Sequence, residues 1–294
     1  MRRRFSLPLT TAAVGAAGLA YAVWEAKQFR LRRVDIPVLA ADADPLRILH
    51  ISDLHLTPGQ QGKIEWVQSL ASLRPDLVVS TGDNLAHLEA VPATLSALAP
   101  LLDVPGVFVF GSNDYYGPIL KNPFGYFRPD RPIKVFGKPL PWTALRDGLT
   151  SAGWVDLNNH RVASKAADRL FEFVGTDDAH LQLDHYDDVT GPPDQQAELA
   201  IGVTHAPYLR VVDRMAADAI PMIFAGHTHG GQVCVPGLGA LVTNCDLPRS
   251  QAKGLHRRGD TWLHVSAGLG TSPTAPIRFA CPPEATLVTL TPAI

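Results

Sequence analysis

A unit of apolar strand, polar loop and helix repeats through this sequence, and this repeat is the feature that most constrains the fold. Between residues 45 and 110, strands are predicted at 46–52, 77–80 and 107–110, and helices at 63–73 and 92–102. Strands that alternate with helices favour right-handed crossovers and a largely parallel sheet. The alternation continues toward the end of the chain, so the sequence predicts an α/β fold.

Composition limits the classes of protein to which the chain can belong. The 294 residues are 46% hydrophobic and 18% charged, which is enough apolar material for one large globular domain. A formal net charge of −2 provides no overall positive field to attract nucleic acid, so a nucleic-acid partner is not expected. The three cysteines include no CxxC pair, which argues against a thiolate zinc site and a disulfide framework.

The first 33 residues differ from the rest of the chain. A basic start (MRRRF) precedes an uncharged apolar run, and a second basic segment (EAKQFRLRR) follows it. The run approaches the roughly 20 residues that span a bilayer, so residues 1–33 are predicted to be a signal peptide or signal anchor, and 34–294 the folded domain. A buried helix at the start of a soluble domain is the alternative. Five prolines within 121–141 predict an insertion or a flap.

Several apolar segments run directly into loops that carry the side chains of metal ligands. These side chains are Asp53 and His55, Asp83 and Asn84, Asn113 and Asp114, His205, and His227 and His229. The carboxyl ends of parallel strands share one edge of a sheet, so the loops are expected to lie together. Carboxylate, amide and imidazole groups without thiolate suit Mn²⁺, Fe or Zn²⁺. Six or seven ligands exceed the four of one tetrahedral zinc, so two divalent ions with one bridging carboxylate are predicted.

The motif series DLH, GDN, GSND, TH and GHTH resembles the calcineurin-like metallophosphoesterase superfamily over roughly residues 46–290. The closing segment GLGTSPTAPIRFACPPEATLVTL and the N-terminal apolar run resemble its bacterial branch of membrane-associated or exported proteins. The resemblance implies a four-layer α/β/β/α sandwich with metals at the sheet edge. It also implies a protein that is anchored in the bacterial cytoplasmic membrane or exported across it, with the side left open.

The resemblance also implies a role for each ligand. Asp53, His55 and His229 would bind the first metal, and Asp83 would bridge both metals. The second metal would be bound by His205 and His227, with the amide of Asn113. The implied activity is hydrolysis of a phosphomonoester or phosphodiester, in which a hydroxide held between the ions attacks phosphorus.

The third motif departs from the family pattern. Where the family has Gly-Asn-His-Asp or Gly-Asn-His-Glu, this sequence has Gly111-Ser112-Asn113-Asp114. Asn113 would then either reach the second metal through a shifted loop, or point at the phosphate as a neutral donor while Ser112 faces the metal. In both cases the loop lacks the imidazole that serves as general acid, a loss worth about 10²–10⁴ in rate. His87, in GDNLAH, is the candidate replacement.

Two functions therefore follow from the sequence. The first is a metal-dependent phosphoesterase whose substrate is a phosphate ester, either lipid-linked or nucleotide-linked. The second, motivated by the altered third motif, is a catalytically weak or inactive metal-binding scaffold that binds phosphorylated ligands or a partner protein.

Overall fold

The computed structural model describes residues 7–119 and 137–293. Most of the predicted proline-rich insertion at 121–141 lies outside these residues, as do the first six residues of the predicted N-terminal signal.

Two six-stranded sheets form the centre of the domain. In spatial order, the first sheet contains β1 (Arg30–Leu39), β14 (Glu284–Pro292), β2 (Leu46–Ile51), β3 (Leu77–Ser80), β4 (Gly106–Phe108) and β5 (Val155–Asp156). The second contains β12 (Gly254–Arg258), β13 (Thr261–Val265), β9 (Met222–Ala225), β8 (Ala200–Val203), β7 (Arg169–Gly175) and β6 (Arg161–Ala166). A separate two-stranded hairpin joins β10 (Cys234–Val235) to β11 (Gly239–Ala240).

The neighbouring strands that carry the predicted ligand loops are parallel. In the first sheet β2, β3, β4 and β5 run parallel, and in the second sheet β7, β8, β9 and β13 do the same. In the second sheet the two outer pairs, β12–β13 and β6–β7, are antiparallel. In the first sheet β14 runs antiparallel to β2 and parallel to the edge strand β1. The predicted parallel arrangement is therefore confirmed at the strands that matter for the site.

The helices are shorter than the sequence pattern predicts. They are α1 (Leu7–Glu25), α2 (Gln61–Ser69), α3 (Val91–Leu98), α4 (Ser112–Tyr115), α5 (Trp142–Ser151) and α6 (Leu209–Ala217). The predicted helices at 63–73 and 92–102 each end in a turn of 3₁₀-helix, at Leu70–Leu73 and Ala99–Leu101. Such tightening is common in the last turn of an α-helix.

Three apolar layers hold the elements together. Val79 of β3 and Phe224 of β9 belong to the buried core between the two sheets. Val67 of α2 packs with residues of β2 and β3 on the outer face of the first sheet, together with α3 and α5. Met215 of α6 packs on the outer face of the second sheet. The result is the predicted four-layer α/β/β/α sandwich.

The N-terminal segment forms helix α1, and the end of this helix packs on the domain. Ala22 is buried, its carbonyl oxygen accepts a hydrogen bond of 2.9 Å from Arg278 N, and Tyr21 packs edge-on against Phe279. Within residues 7–119 and 137–293, no helix has both the length and the apolar character needed to cross a membrane, and the predicted anchor is not supported. Strand β1 begins at Arg30, so residues 30–33 of the predicted signal lie in the first sheet.

Candidate metal centre

The carboxyl ends of the parallel strands bring the predicted ligands to one place. Asp53 and His55 follow β2, and Asp83 follows β3. From the second sheet, His205 follows β8, and His227 and His229 follow β9. The side chains of Asp53 and His205 are completely buried, as expected for groups enclosed between the edges of two sheets.

Four of these residues form a compact cluster. Asp53, His55, Asp83 and His229 each offer one ligand atom, and these atoms lie within 4.8 Å of one another. Nε2 of His55 is 3.1 Å from Nε2 of His229 and 3.4 Å from Oδ2 of Asp83. Nε2 of His229 is 3.5 Å from Oδ1 of Asp53. Two carboxylates and two imidazoles that converge in this way fit a divalent metal.

A second group of ligand atoms lies on the other side of Asp83. Nε2 of His205 is 3.5 Å from Oδ1 of Asp83, and Nδ1 of His227 is 3.3 Å from Nε2 of His205. The two carboxylate oxygens of Asp83 therefore face different imidazoles, His55 from Oδ2 and His205 from Oδ1. This is the arrangement that a carboxylate needs in order to bridge two ions.

Burial keeps most of the imidazoles neutral. It lowers the pKa of His55 to about 4 and holds the pKa values of His227 and His229 well below the usual range. A neutral imidazole has a free lone pair, which is the form that binds a metal. Burial also acts to lower the pKa of His205, but the adjacent Asp83 carboxylate outweighs it and raises that pKa. A divalent ion would take the place of the proton that His205 shares with Asp83.

Backbone carbonyl groups orient three of the rings. Nδ1 of His205 is 2.6 Å from the carbonyl oxygen of Thr81, an acceptor that the sequence did not identify. Nε2 of His227 is 3.2 Å from Asn244 O, and Nδ1 of His229 is 3.2 Å from Gly270 O. If the nitrogen beside each carbonyl carries the proton, the other nitrogen has its lone pair available to the cluster.

A buried chain of hydrogen bonds reaches Asp53 from within the sandwich. Ser52 Oγ donates to Asp53 Oδ2 at 2.5 Å, and Thr81 Oγ1 donates to Ser52 Oγ at 2.7 Å. His50 Nε2 is 2.9 Å from Thr81 Oγ1, and its Nδ1 is 2.9 Å from Nδ1 of His264. Because each hydroxyl donates toward Asp53, His50 donates to Thr81 and accepts from His264. The chain positions one carboxylate oxygen of the cluster.

The backbone at the ligands is unusual. Asp53, His55, Asp83, His227 and His229 all have φ between 42° and 69°, in the left-handed region. Residues other than glycine seldom adopt this conformation, and where they do they gather at functional sites.

Two glycines allow the backbone to approach the ligands closely. A Cβ atom at Gly226 would lie 1.9 Å from Ser52 Oγ and 2.8 Å from Asp53 Oδ2. A Cβ atom at Gly111 would lie 2.3 Å from Asp83 Oδ1. Both positions therefore exclude any larger residue without movement of the site.

The altered third motif, residues 111–114, contacts the carboxylate of Asp83, which faces both groups of ligands. Asn113 donates from its backbone N to Asp83 Oδ1 at 2.7 Å and from Nδ2 to Asp83 Oδ2 at 2.6 Å. Ser112 Oγ is 3.4 Å from Asn113 Nδ2. Asp114 accepts hydrogen bonds from the backbone N atoms of Asp83, Asn84, Leu85 and Gly111. The loop thus fixes Asp83, and Asn113 contacts it more closely than Ser112 does.

His87 does not reach the cluster. Leu85, two residues before His87, forms a β-bridge with Leu56. The His87 side chain is exposed, and its Nδ1 accepts a hydrogen bond from Glu89 N at 3.1 Å. It is absent from the described residues that line the adjoining cavity, which does not favour the predicted role of His87 as the replacement acid.

A cavity of about 420 Å³ adjoins the cluster, and His55, Asp83, Asn113, His227 and His229 line it. His180 lines the same cavity. Its ring centroid lies 4.8 Å from that of His227, and its Nδ1 is 3.0 Å from the hydroxyl of Tyr208. His180 lies in the loop after β7 and does not follow a strand directly, so no local pattern in the sequence predicts its place in the cavity wall.

Asp178 shapes the loop that carries His180. Its carboxylate accepts hydrogen bonds of 3.1 Å from the backbone N atoms of His180 and Leu181. Burial raises the pKa of Asp178 to about 7. This carboxylate therefore forms a turn that brings an imidazole to the cavity.

Arg278 supports His229 from behind, and no local pattern in the sequence identified it. Its side chain is completely buried, and Nη2 donates to the carbonyl oxygens of Ala267, Gly268 and Gly270 at 2.7, 3.1 and 2.8 Å. Nη1 lies 3.3 Å from His229 O. The guanidinium group thus ties the loop after β13 to the loop after β9.

A sequence model of the calcineurin-like phosphoesterase family matches residues 46–231, which include every candidate ligand. The uncharacterised Bacillus subtilis protein YpbG is 29% identical over 286 residues, covering 96% of this chain and 95% of the relative. The Escherichia coli phosphodiesterase YaeI is 26% identical over 298 residues and covers 98% of each chain. YkuE, an uncharacterised Bacillus subtilis metallophosphoesterase, is 25% identical over 268 residues, covering 84% of this chain and 79% of the relative.

Proposed function

Because the chain belongs to the calcineurin-like phosphoesterase family and is a metal-dependent phosphoesterase, we propose that it hydrolyses a phosphodiester or phosphomonoester at a centre of two divalent ions. The ions would be Mn, Fe or Zn, since the donor set contains carboxylate, amide and imidazole groups. Asp53, His55 and His229 would hold one ion, and His205 and His227 the other.

The observation that carries this proposal is the position of Asp83. Its two oxygens lie 3.4 and 3.5 Å from imidazole nitrogens of different groups of ligands. A site for a single ion would not need the second group of ligands, His205 and His227. In this group Nδ1 of His227 is 3.3 Å from Nε2 of His205. In this proposal the amide oxygen of Asn113 would join the second group, while its Nδ2 donates to Asp83 Oδ2 at 2.6 Å.

Divalent ions at this centre would lower the pKa of water and offset negative charge on the phosphoryl oxygens. The residues of the chain supply the geometry. Asn113 and Asp114 hold the Asp83 loop, and the chain from His264 to Ser52 holds Asp53. The leaving oxygen needs a proton donor, and His180 is the imidazole in the described cavity wall that lies outside the ligand set. We assign that role to His180.

The experiment that tests the proposal is metal analysis of the full-length protein together with hydrolysis of bis(p-nitrophenyl) phosphate. We expect two ions per chain, and turnover with at least one of Mn²⁺, Fe²⁺, Co²⁺ and Zn²⁺. Asp83→Asn should remove at least one ion and reduce kcat/KM by at least about 100-fold, since both groups of ligands lose their shared carboxylate. Asp147→Asn, at an exposed acid outside the centre, is the matched control.

Two outcomes would contradict the proposal. One ion per chain would show that His205 and His227 do not bind a second ion. Two tightly bound ions without turnover of any mono- or diester would favour the alternative, a metal-binding scaffold. The nature of the ester beyond its phosphate is a separate question, because lipid-linked and nucleotide-linked substrates would present the same phosphorus to the ions.

A further inference from the structure

We propose that the substrate carries a hydrocarbon chain on one ester oxygen, and that this chain occupies the apolar part of the cavity beside the metal-ligand cluster. The inference rests on the proposed function, because it names the class of ester that the same site would hydrolyse. It selects a lipid-like phosphoester over a nucleotide-linked one.

The first support is the wall of the cavity. Beyond the candidate ligands, much of the wall consists of apolar side chains, including Pro118, Ile119, Leu181, Val233, Leu241 and Val242. A cavity of about 420 Å³ is large enough for a phosphate group and several methylenes. Each methylene that such a wall buries fully increases affinity by about fourfold. The site can therefore distinguish esters by the length of an apolar substituent.

The second support is the distribution of positive charge. Neither lysine nor arginine occurs among the described residues that line the cavity. Arg278 is buried and directs its guanidinium group to carbonyl oxygens, and Lys63 donates to Leu54 O at 2.7 Å. Arginine and lysine are common protein partners for a second phosphate. The described wall offers a nucleoside diphosphate no such partner, whereas an apolar chain needs none.

The third support is the surface at the rim of the cavity. Val233 lines the cavity and is 37% exposed, and it directly precedes the β10–β11 hairpin. On that hairpin Val235 is 41% exposed, and Leu238, between the strands, is 73% exposed. Exposed apolar side chains that lie together often mark ligand-binding surfaces. A chain too long for the cavity would pass Val233 and continue toward the exposed apolar side chains of this hairpin.

A series of p-nitrophenyl phosphodiesters tests the inference. The full-length protein, loaded with the metal that gives turnover, is assayed with methyl, butyl and octyl p-nitrophenyl phosphates below their micelle concentrations. We expect kcat/KM to rise at least tenfold from methyl to octyl, and the octyl ester to exceed uridine 5′-(p-nitrophenyl phosphate). Equal or falling values along the series, or a preference for the uridine ester, would overturn the inference.

Substitutions then locate the effect. Leu181→Asp and Val242→Asp place a charge in the apolar wall, so each should reduce the octyl-to-methyl ratio of kcat/KM at least fivefold. Because both esters are measured on one preparation, this ratio does not depend on the fraction of folded protein. Leu88→Asp makes the same change at an exposed position outside the described cavity wall, and should leave the ratio unaltered. Unchanged ratios in both wall variants would refute the assignment.

The failure of the proposed function is distinguishable from the failure of this inference. If turnover does not depend on the length of the alkyl chain, the proposed phosphoesterase function is supported and the inference of an apolar substrate is overturned. If no ester is hydrolysed, calorimetric binding of methylphosphonate and octylphosphonate to the metal-loaded protein still decides the second question. We expect at least tenfold tighter binding of octylphosphonate, and equal affinities would overturn the inference.

Discussion

Each of three imidazoles at the centre has one ring nitrogen beside a backbone carbonyl and the other turned toward the ligand cluster. His205 and His229 turn Nε2 toward the carboxylates, whereas His227 turns Nδ1 toward His205. The choice of nitrogen depends on where a carbonyl oxygen lies, and carbonyl positions depend on the fold. The sequence therefore predicted which side chains lie together, but it could not predict which ring nitrogen of each histidine faces the cluster.

Substitution of His180 tests its role as the proton donor. His180→Gln should slow alkyl phosphate esters, which have poor leaving groups, by about 10²–10⁴, because a poor leaving group needs a proton. Activated p-nitrophenyl esters should lose much less. The measurement is the dependence of kcat/KM on leaving-group pKa. His87→Ala, at an exposed residue remote from the cavity, should retain the dependence of the unmodified protein. Equal losses on both ester classes in His180→Gln would exclude His180 from this role.

At the scale of elements, short strands that end abruptly in left-handed loops position the ligands. Strand β9 has four residues. Gly226 directly follows it and lies so close to Ser52 that the Cβ atom of an alanine at this position would be 1.9 Å from Ser52 Oγ. This contact joins the loop after β9 to the loop after β2, although the two strands belong to different sheets. The distance between the sheets at this edge thus determines how closely Asp53 and His229 approach.

Gly226→Ala should therefore reduce metal binding more than it disturbs the fold. The added methyl group would overlap Ser52 and Asp53, and overpacking of this kind typically costs about 1–3 kcal/mol. We expect the bound metal to fall below two ions per chain while the circular dichroism spectrum retains its shape. Gly62→Ala is the matched control, because nothing lies within 4 Å of its Cβ position in helix α2 and alanine favours a helix by up to about 1 kcal/mol. Full metal content in Gly226→Ala would contradict the argument.

At the scale of the whole molecule, the alternation of apolar strands and helices predicted the α/β class and the parallel strands, and the family resemblance implied the four-layer sandwich. The sequence predicted that Asp53, Asp83, His205, His227 and His229 lie together because each follows a buried strand closely.

Features without such a pattern were missed. Strand β1 reads as the basic flank of an apolar run, since RLRRVDIPVL pairs at a sheet edge and buries few side chains. His180 reaches the cavity through a turn made by Asp178, and Arg278 becomes buried only when distant loops meet.

Burial of acids in the sandwich predicts a pH dependence for the stability of the whole domain. The folded pKa of Asp178 is about 7, above the usual 3.8, so the folded state binds more protons than the unfolded state between these values. The contribution of Asp178 to the free energy of unfolding must then fall as pH rises from about 4 to 7, by on the order of 4 kcal/mol.

Urea unfolding of the metal-depleted protein measures this contribution. The free energy of unfolding of the unmodified protein minus that of Asp178→Asn should decrease between pH 4.5 and pH 7.5. Asparagine has a single amide oxygen, so it can keep only one of the two hydrogen bonds from His180 N and Leu181 N, and the loss of the other adds a cost with little pH dependence. A difference that is constant or increases with pH would show that Asp178 is ionised throughout.

The left-handed backbone also affects the stability of the fold at five positions. They are Asp53, His55, Asp83, His227 and His229. Each such residue lowers stability by roughly 1–2 kcal/mol relative to an unstrained one, and glycine is free of that cost. Glycine at any of these positions would relieve that strain, but it would also remove a carboxylate or an imidazole of the cluster. The five left-handed residues thus lower the stability of the fold at the same positions that bring these side chains together.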